Sequence, residues 1–467
     1  MNRSHFLFLL IIISCVCSLS TGLFSCAQIG TPTGGLRDTL PPALLNATPP
    51  NRTLNFTGKQ ITLTFDEYVQ LQNLQENLLV SPTPKRNPNV DYRLKTVIIK
   101  IRDTLQPNTT YSIQLGKSIT DINENNPYPD FTYVFSTGSY IDSLSFSGSV
   151  QLAETGATDT TLLVFLYDDL SDSAVYKNKP KYIARVNKQG NFRFNNLAQG
   201  TYQLFALKDD SGQKMYTSDE QLFAFADSNI TVDPTVEPVK LYAYARQKKE
   251  TPPTSTTDTK QQGLQFNSSI NGGVQDLLQP LTLKFNKPLA SFDSAHIHLS
   301  DTLYNRLPAQ ISWTDTLRQQ IAVRYDWQGG SYYRLVLDST SVRDTLGIGI
   351  GKNDTLAFRG KNESEYGSLK LNFRNLEKFE HPVLQFIVNR QLVKSVALTS
   401  STFSQRLMPP GEYEIRILRD ANQNGVWDPG NYNPVNRAEQ RQPETVFLIE
   451  QKINIRANWD NERDIIL

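Results

Sequence analysis

The sequence predicts an all-β chain of several β-sandwich domains in tandem. Short runs of alternating apolar and polar residues recur along the chain with turn residues between them, which is typical of sandwich strands. Long runs with the apolar period of an amphipathic helix are absent. The 467 residues exceed what one hydrophobic core usually organises. We therefore expect more than one domain.

The first predicted domain covers residues 41–140. Alternation places Ile61, Leu63 and Phe65 on one face of a strand, and a later strand does the same with Tyr111, Ile113 and Leu115. The segment resembles the bacterial Ig-like domain first described in S-layer proteins. The matching segments are Pro41–Pro42, Phe65–Glu67, Leu105–Tyr111, Ile119–Asp121 and Phe135–Gly138. The resemblance implies an Ig-like sandwich.

A different domain is predicted over residues 141–245. Its centre, Gly190–Asp209, has two alternating runs joined by a Gly-bearing turn, which predicts a hairpin. The inward positions are Phe192, Phe194, Leu197, Tyr202, Leu204 and Ala206. The hairpin resembles the transthyretin-like module known as the carboxypeptidase regulatory-like domain.

Residues 246–262 are polar and contain prolines, which predicts a linker before the pattern starts again. Leu281–Pro288 repeats the Ile61–Tyr68 pattern at an offset of 220 residues, and Gly411–Asp420 repeats Gly200–Asp209 at an offset of 211. We therefore predict a second Ig-like domain over 263–362 and a second transthyretin-like domain over 363–467. The fold class is all-β, with two Ig-like plus transthyretin-like pairs.

The first 25 residues are predicted to be a secretory signal, with Arg3 as the full charge and an apolar run from Phe6 to Ile13. Leu23–Cys26 resembles the lipobox of bacterial lipoproteins, which implies a lipid on Cys26. Two alternatives stay open: lipidation of Cys15, and an uncleaved anchor from Phe6 to Phe24. Residues 26–40, rich in Gly, Pro and Thr, are expected to form a flexible tether.

Charge and cysteine usage narrow the function classes. Lys and Arg number 47 against 46 Asp and Glu, so no electrostatic footprint for nucleic acid exists. The three cysteines are Cys15, Cys17 and Cys26, so a chain cleaved before Cys26 and acylated there has no thiol left for a disulfide or a metal.

The loop Asp420–Asp428 is the sharpest local motif. Oxygen-bearing side chains at alternating positions, followed by a glycine, suit a hard cation such as calcium. The predicted calcium ligands are Asp420, Asn422, Asn424, Val426 through its carbonyl, and Asp428. The twelfth position of such a loop is Asn431, where calcium loops carry a bidentate Glu. The alternative interpretation is an Asx-turn loop at a hairpin end.

Catalytic motifs are not evident in the sequence. It has no serine elbow, no Cys/His pair and no phosphate-binding glycine loop, and we expect neither an enzyme nor a cofactor apart from calcium. His296 and His298 have the spacing of two strand ligands but lack an evident third. Four aromatic side chains able to stack on sugars, or to fill domain cores, are Trp313, Trp327, Trp427 and Trp459.

One short motif recurs: Asp, then Ser or Thr, then Ala, Leu or Thr. It resembles the O-glycosylation acceptor of Bacteroidota periplasmic and surface proteins, and its alternative explanation is the preference of Asp-Thr for turns. It begins at Asp38, Asp103, Asp142, Asp159, Asp172, Asp293, Asp301, Asp315, Asp338, Asp344 and Asp354.

These observations predict an outer-membrane lipoprotein without catalysis, anchored to the membrane by lipid on its periplasmic or cell-surface face. Its expected role is a scaffold or protein-interaction module of the cell envelope, as a subunit of an assembly, secretion or uptake machine with protein partners. The alternative is a surface adhesin or glycan-binding lipoprotein.

Overall fold

The structure, a computed structural model, describes residues 37–246, 263–432 and 441–467. The predicted signal segment 1–25, Cys26, most of the predicted tether and nearly all of the predicted linker lie outside the described residues. Of the described residues, 46% lie in strands and 3% in helices, which confirms the predicted class of tandem all-β sandwiches. Within the described residues, no helix has the length and apolar content needed to cross a membrane.

The chain divides into two compact units. One takes in the chain up to Val80 together with Pro84–Ile141, and the other takes in Ser81–Thr83 and Asp142–Leu467. We name the sandwiches by residue range: first (37–141), second (142–246), third (263–362) and fourth (363–467).

The first sandwich has one core between its sheets. The sheets have strand orders β1-β2-β6-β5 and β4-β7-β9, with a two-stranded sheet β3-β8 beside them. Ile61, Leu63 and Phe65 are fully buried, as the alternation predicts. The strands are β1 Leu44–Thr48, β2 Gln60–Phe65, β3 Val69–Leu71, β4 Leu79–Ser81, β5 Asn89–Arg93, β6 Thr96–Lys100, β7 Thr110–Gln114, β8 Ile119–Asp121 and β9 Thr132–Ser136, with a helical turn α1 at Leu74–Asn77.

The second sandwich pairs a three-stranded sheet, β13-β10-β17, with the sheet β12-β11-β14-β15, whose strand β14 also pairs with β16. β10 and β17 run parallel. The six predicted inward residues of the hairpin all lie in its core. The strands are β10 Leu144–Leu152, β11 Leu162–Tyr167, β12 Tyr182–Arg185, β13 Asn191–Leu197, β14 Gly200–Lys208, β15 Phe223–Phe225, β16 Ile230–Val232 and β17 Val239–Ala243, with a helical turn α2 at Ala174–Lys177.

The third sandwich repeats the sheet plan of the first, with sheets β18-β20-β24-β23, β19-β27-β25-β22 and β21-β26. Leu281, Leu283 and Phe285 fill its core as Ile61, Leu63 and Phe65 fill the first. The strands are β18 Phe266–Ser268, β19 Val274–Gln275, β20 Leu281–Phe285, β21 Leu289–Phe292, β22 Ile297–Ser300, β23 Gln310–Trp313, β24 Gln320–Arg324, β25 Tyr332–Leu337, β26 Val342–Asp344 and β27 Asp354–Gly360.

The fourth sandwich repeats the second, with sheets β31-β28-β34 and β30-β29-β32-β33. Its last strand, β34, runs parallel to its first strand, β28, as β17 runs parallel to β10 in the second sandwich. The strands are β28 Gly367–Arg374, β29 Pro382–Val388, β30 Gln391–Ala397, β31 Thr402–Met408, β32 Gly411–Arg419, β33 Val446–Ile455 and β34 Asp460–Ile466, with 3₁₀ turns at Glu363–Glu365 and Leu376–Lys378.

Candidate functional site

The candidate cation loop connects β32 to β33 and begins at Asp420, which is 2% exposed. The Asp420 carboxylate accepts hydrogen bonds from the backbone N–H groups of Asn424 (3.1 Å) and Gly425 (2.7 Å). Gly425 has φ +77°, a conformation that glycine adopts without strain. The buried acid therefore fixes the turn of the loop.

The two asparagines link the turn to Asp428. Asn422 Oδ1 accepts from Asn424 N–H (3.1 Å), and Asn424 Oδ1 accepts from Val426 N–H (2.7 Å). The Nδ2 groups of both asparagines donate to Asp428 Oδ2, at 2.7 and 2.6 Å. The five predicted ligand residues thus form one compact loop, in which amide N–H groups face Asp428. A cation beside Asp428 requires both amides to turn their oxygens towards it.

Glu444 is the functional candidate that sequence reasoning missed. It is 2% exposed, and its Oε1 and Oε2 accept from the backbone N–H groups of Ala421 (2.8 Å) and Asp428 (3.1 Å). Burial raises the pKa of the Glu444 carboxyl, and the charges of Asp420 and Asp428 act in the same direction. Glu444 therefore places a second buried carboxyl group beside the loop that Asp420 begins.

Strand register explains why Glu444 reaches the loop. Leu418 of β32 pairs with Val446 of β33, so the chain just after one strand must meet the chain just before the other. No local spacing reveals this pairing, because Glu444 follows Asp428 by 16 residues. Over the described parts of the chain, no three His, Cys, Asp or Glu side chains form a metal-binding group. A cation in the loop therefore depends on amide and backbone oxygens as well as acids.

Two loops elsewhere in the chain resemble the candidate cation loop. In each, an Asp carboxylate accepts hydrogen bonds from backbone N–H groups and so stabilises a turn. In the second sandwich, Asp209 accepts from Lys214 N–H at 3.0 Å. In the first, Asp121 accepts from three backbone N–H groups at 2.7 to 3.0 Å. Burial acts to raise the pKa of Asp121, but these donors outweigh it and lower the pKa.

The recurring Asp-Ser/Thr motif also forms turns. At five sites the Asp carboxylate accepts from the N–H two residues later, which defines an Asx turn. These sites are Asp38, Asp159, Asp293, Asp301 and Asp344. The following Ser or Thr is exposed at each of them. Turn formation therefore accounts for part of the motif and leaves the Ser or Thr residue exposed at these five sites.

The loop continues directly into a contact between the fourth and second sandwiches. Tyr432 is 5% exposed and packs among aromatic rings of the second sandwich. The ring-centroid distances are 4.9 Å to Phe225, 5.5 Å to Phe223, 5.6 Å to Phe205 and 6.1 Å to Tyr176. The Tyr432 hydroxyl donates to the Asp172 carbonyl at 3.2 Å. No local sequence pattern marks Tyr432 as a contact residue.

Polar contacts surround the aromatic anchor. The Arg441 guanidinium lies over the Phe225 and Tyr432 rings, at 5.1 and 5.5 Å from their centroids. Arg416 Nη1 donates to the Glu154 carbonyl (2.8 Å), and Val446 N–H donates to the Ala153 carbonyl (3.0 Å). The contact therefore combines buried aromatic surface with backbone hydrogen bonds, which favours a fixed arrangement of the two sandwiches.

One protein family matches the first sandwich. Residues 38–137 match the family described as bacterial Ig-like domain, which confirms that part of the sequence resemblance. No curated protein sequence matches the chain.

Several solved structures have similar chains. The Bacillus anthracis TIE protein is 10% identical over 93% of this chain and 76% of its own, with a TM-score of 0.17. BcpA, the major pilin subunit of Bacillus cereus, is 9% identical over 69% of this chain and 99% of its own, also at 0.17. The N-terminal part of the bacterial S-layer protein SbsC is 14% identical over 45% of each chain, at 0.16. Scores this low carry no argument about function.

Proposed function

We propose that the protein is a non-catalytic lipoprotein of the bacterial outer membrane. A lipid on Cys26 anchors it, and its sandwiches serve as a scaffold that binds protein partners of the envelope. In this role it is a subunit of an assembly, secretion or uptake machine. The Ig-like family of residues 38–137 supports the proposal, because such sandwiches carry binding sites on a rigid frame.

The observation that carries the proposal is the contact made by Tyr432. Domains of one chain move independently unless their interface is large and apolar. Here an aromatic side chain from one sandwich is buried among four aromatic rings of another. A scaffold needs fixed spacing between its binding surfaces, and this contact supports such fixed spacing between the second and fourth sandwiches.

The lipid anchor is tested by fractionating cells that express the Cys26→Ala or the Cys15→Ala variant. We expect Cys26→Ala to leave the membrane fraction and Cys15→Ala to stay in it. Mass spectrometry of the wild-type N-terminal peptide is expected to find the lipid on Cys26. A membrane-bound Cys26→Ala protein, or a lipid on Cys15, contradicts the proposal.

The scaffold role is tested by isolating the tagged full-length protein from gently solubilised membranes. We expect envelope proteins to co-purify in constant ratio to it. If the tagged protein is expressed at the level of the untagged protein and is recovered without other proteins, the scaffold role is contradicted.

The loop Asp420–Asp428, completed by Glu444, is proposed to bind calcium. Two of its acids are almost fully buried, and a bound cation offsets the free energy of burying their charges. Because Tyr432 follows in the same connection, calcium is expected to stiffen the segment that joins the two sandwiches.

Calorimetric titration of EDTA-treated full-length protein with calcium chloride tests the loop. We expect one calcium site in the wild type and a loss of affinity of about tenfold or more in Glu444→Gln. Asp209→Asn, in the corresponding loop of the second sandwich, serves as the matched control and should bind like the wild type. Absence of binding at millimolar calcium, or equal binding by Glu444→Gln, contradicts the site.

A further inference from the structure

A cleft of about 510 Å³ opens at one end of the fourth sandwich. It is lined by the 3₁₀ turn Glu363–Glu365, by strands β28 and β31, and by the turn that leads into β34. Its volume is in the range of small-molecule binding sites. Most of the lining residues are polar, and they include one tryptophan, Trp459.

Trp459 is the most exposed tryptophan, at 59%, whereas Trp327 lies in the core of the third sandwich at 5%. The Trp459 ring is therefore accessible to a ligand in the cleft, and an indole ring offers a large apolar surface beside a polar N–H group. The Arg456 guanidinium lies 5.4 Å from the ring centroid and supports the ring from one side.

The backbone holds Trp459 in place. Its carbonyl accepts from Ser368 N–H (2.9 Å) and from Asn461 Nδ2 (3.2 Å). The preceding residue, Asn458, is in the left-handed conformation (φ +58°), and its N–H donates to the Tyr366 carbonyl at 2.7 Å. The ring therefore sits on a preorganised turn, which reduces the entropy lost when a ligand stacks on it.

Charged side chains of the cleft are paired with one another. Arg406 contacts Glu363 at 3.0 Å, and Lys370 contacts Glu462 at 2.8 Å. Asp460 accepts a hydrogen bond from the Ser368 hydroxyl. The cleft therefore has no excess positive charge to attract phosphate, sulfate or uronate groups. It does present carboxylates, amides and ammonium groups that bind hydroxyls.

An aromatic platform beside planar polar side chains, without net positive charge, suits one ligand class. We propose that this cleft binds a neutral oligosaccharide, with a sugar ring stacked on Trp459 and its hydroxyls bound by the carboxylates of Asp460 and Glu462 and the ammonium group of Lys370. The C–H face of a sugar ring is apolar and its rim is polar, which matches this arrangement.

The cleft is not a requirement of the sandwich fold. In the second sandwich, β17 occupies the place of β34 and also runs parallel to the first strand of the domain. The residue before β17 is Pro238, not an aromatic residue. The fold therefore forms without a tryptophan at this turn, and Trp459 is available for binding.

The test is isothermal titration of the full-length protein with cellotetraose, chitotetraose, laminaritetraose, maltotetraose, mannotetraose and xylotetraose. We expect at least one of these probes to bind. Trp459→Ala should weaken that binding about tenfold or more, because the stacking contact is lost. Trp459→Phe should retain part of the affinity.

The matched control is Tyr304→Ala in the third sandwich. Tyr304 is also 59% exposed and also lies against an arginine, Arg334, but it is outside the cleft. Its variant should bind like the wild type, and circular dichroism should find both alanine variants folded. Failure of all six probes to bind at millimolar concentration overturns the proposal. Binding that Trp459→Ala leaves unchanged overturns it equally.

Discussion

At the scale of single residues, the candidate cation loop is marked by two buried acidic side chains. Asp420 and Glu444 lie at the same loop, each 2% exposed, and backbone N–H groups satisfy their oxygens. Those donors compensate part of the lost hydration. The raised pKa of Glu444 indicates that ionising it in the folded protein is unfavourable compared with ionising it in water.

The raised pKa of Glu444 predicts a pH dependence of stability in EDTA. Below the ordinary glutamate pKa of about 4.3, this carboxyl is protonated in both the folded and the unfolded chain. Above it, the unfolded chain loses its proton first, so the folded state is progressively destabilised until pH passes the raised pKa. Relative to Glu444→Gln, which does not titrate, the wild type should lose stability across this interval.

Urea denaturation at a series of pH values measures that difference. Glu450→Gln, at an exposed position of β33, is the control and should follow the wild type. A difference between wild type and Glu444→Gln that stays constant or grows with pH contradicts the assignment.

At the scale of elements, the connection between β32 and β33 combines two roles. Its first part forms the candidate cation loop, and Trp427 packs against Val383, Leu418 and Val446 at the base of the loop. Its next part delivers Tyr432 to the second sandwich. The loop geometry therefore controls where the anchoring tyrosine emerges.

Gly425→Ala tests the backbone of this loop. A Cβ at Gly425 meets no atom within 4 Å, so only the left-handed backbone is unfavourable for alanine. We expect a loss of unfolding free energy of about 1 kcal/mol, measured by urea denaturation. Gly263→Ala, also in open space but without a positive φ, should cause no loss. Equal effects of the two substitutions contradict the strain argument.

Sequence alternation predicted the strands that bury one face. It placed Phe192, Phe194 and Leu197 correctly in the core of the second sandwich. It did not predict that Phe205 and Leu207, on the opposite face of β14, are also buried. Alternation identified one buried face of β14, but the period alone does not tell whether the other face is also covered.

The sequence predicted the local part of the candidate site and missed the residues that reach it from a distance. The alternating oxygens of residues 420–428 are a local pattern and were found from their spacing. Glu444 and Tyr432 act through strand pairing and a contact between sandwiches, and neither relation has a local sequence signal.

At the scale of the whole molecule, we expect the second and fourth sandwiches to behave as one rigid unit. Tyr432, Arg441 and Arg416 of the fourth sandwich all contact the second. Replacing a large buried aromatic side chain by alanine typically costs about 3–5 kcal/mol. Loss of Tyr432 should therefore loosen the second sandwich, although the substitution lies in the fourth.

Hydrogen exchange of Tyr432→Ala, read by mass spectrometry on the full-length protein, tests this claim most directly. We expect exchange to rise about tenfold or more in peptides covering β14 and β15 of the second sandwich. Tyr304→Ala, the exposed control, should leave those peptides unchanged. Faster exchange confined to peptides around residue 432, with β14 and β15 protected as in the wild type, would contradict a scaffold held together by this tyrosine.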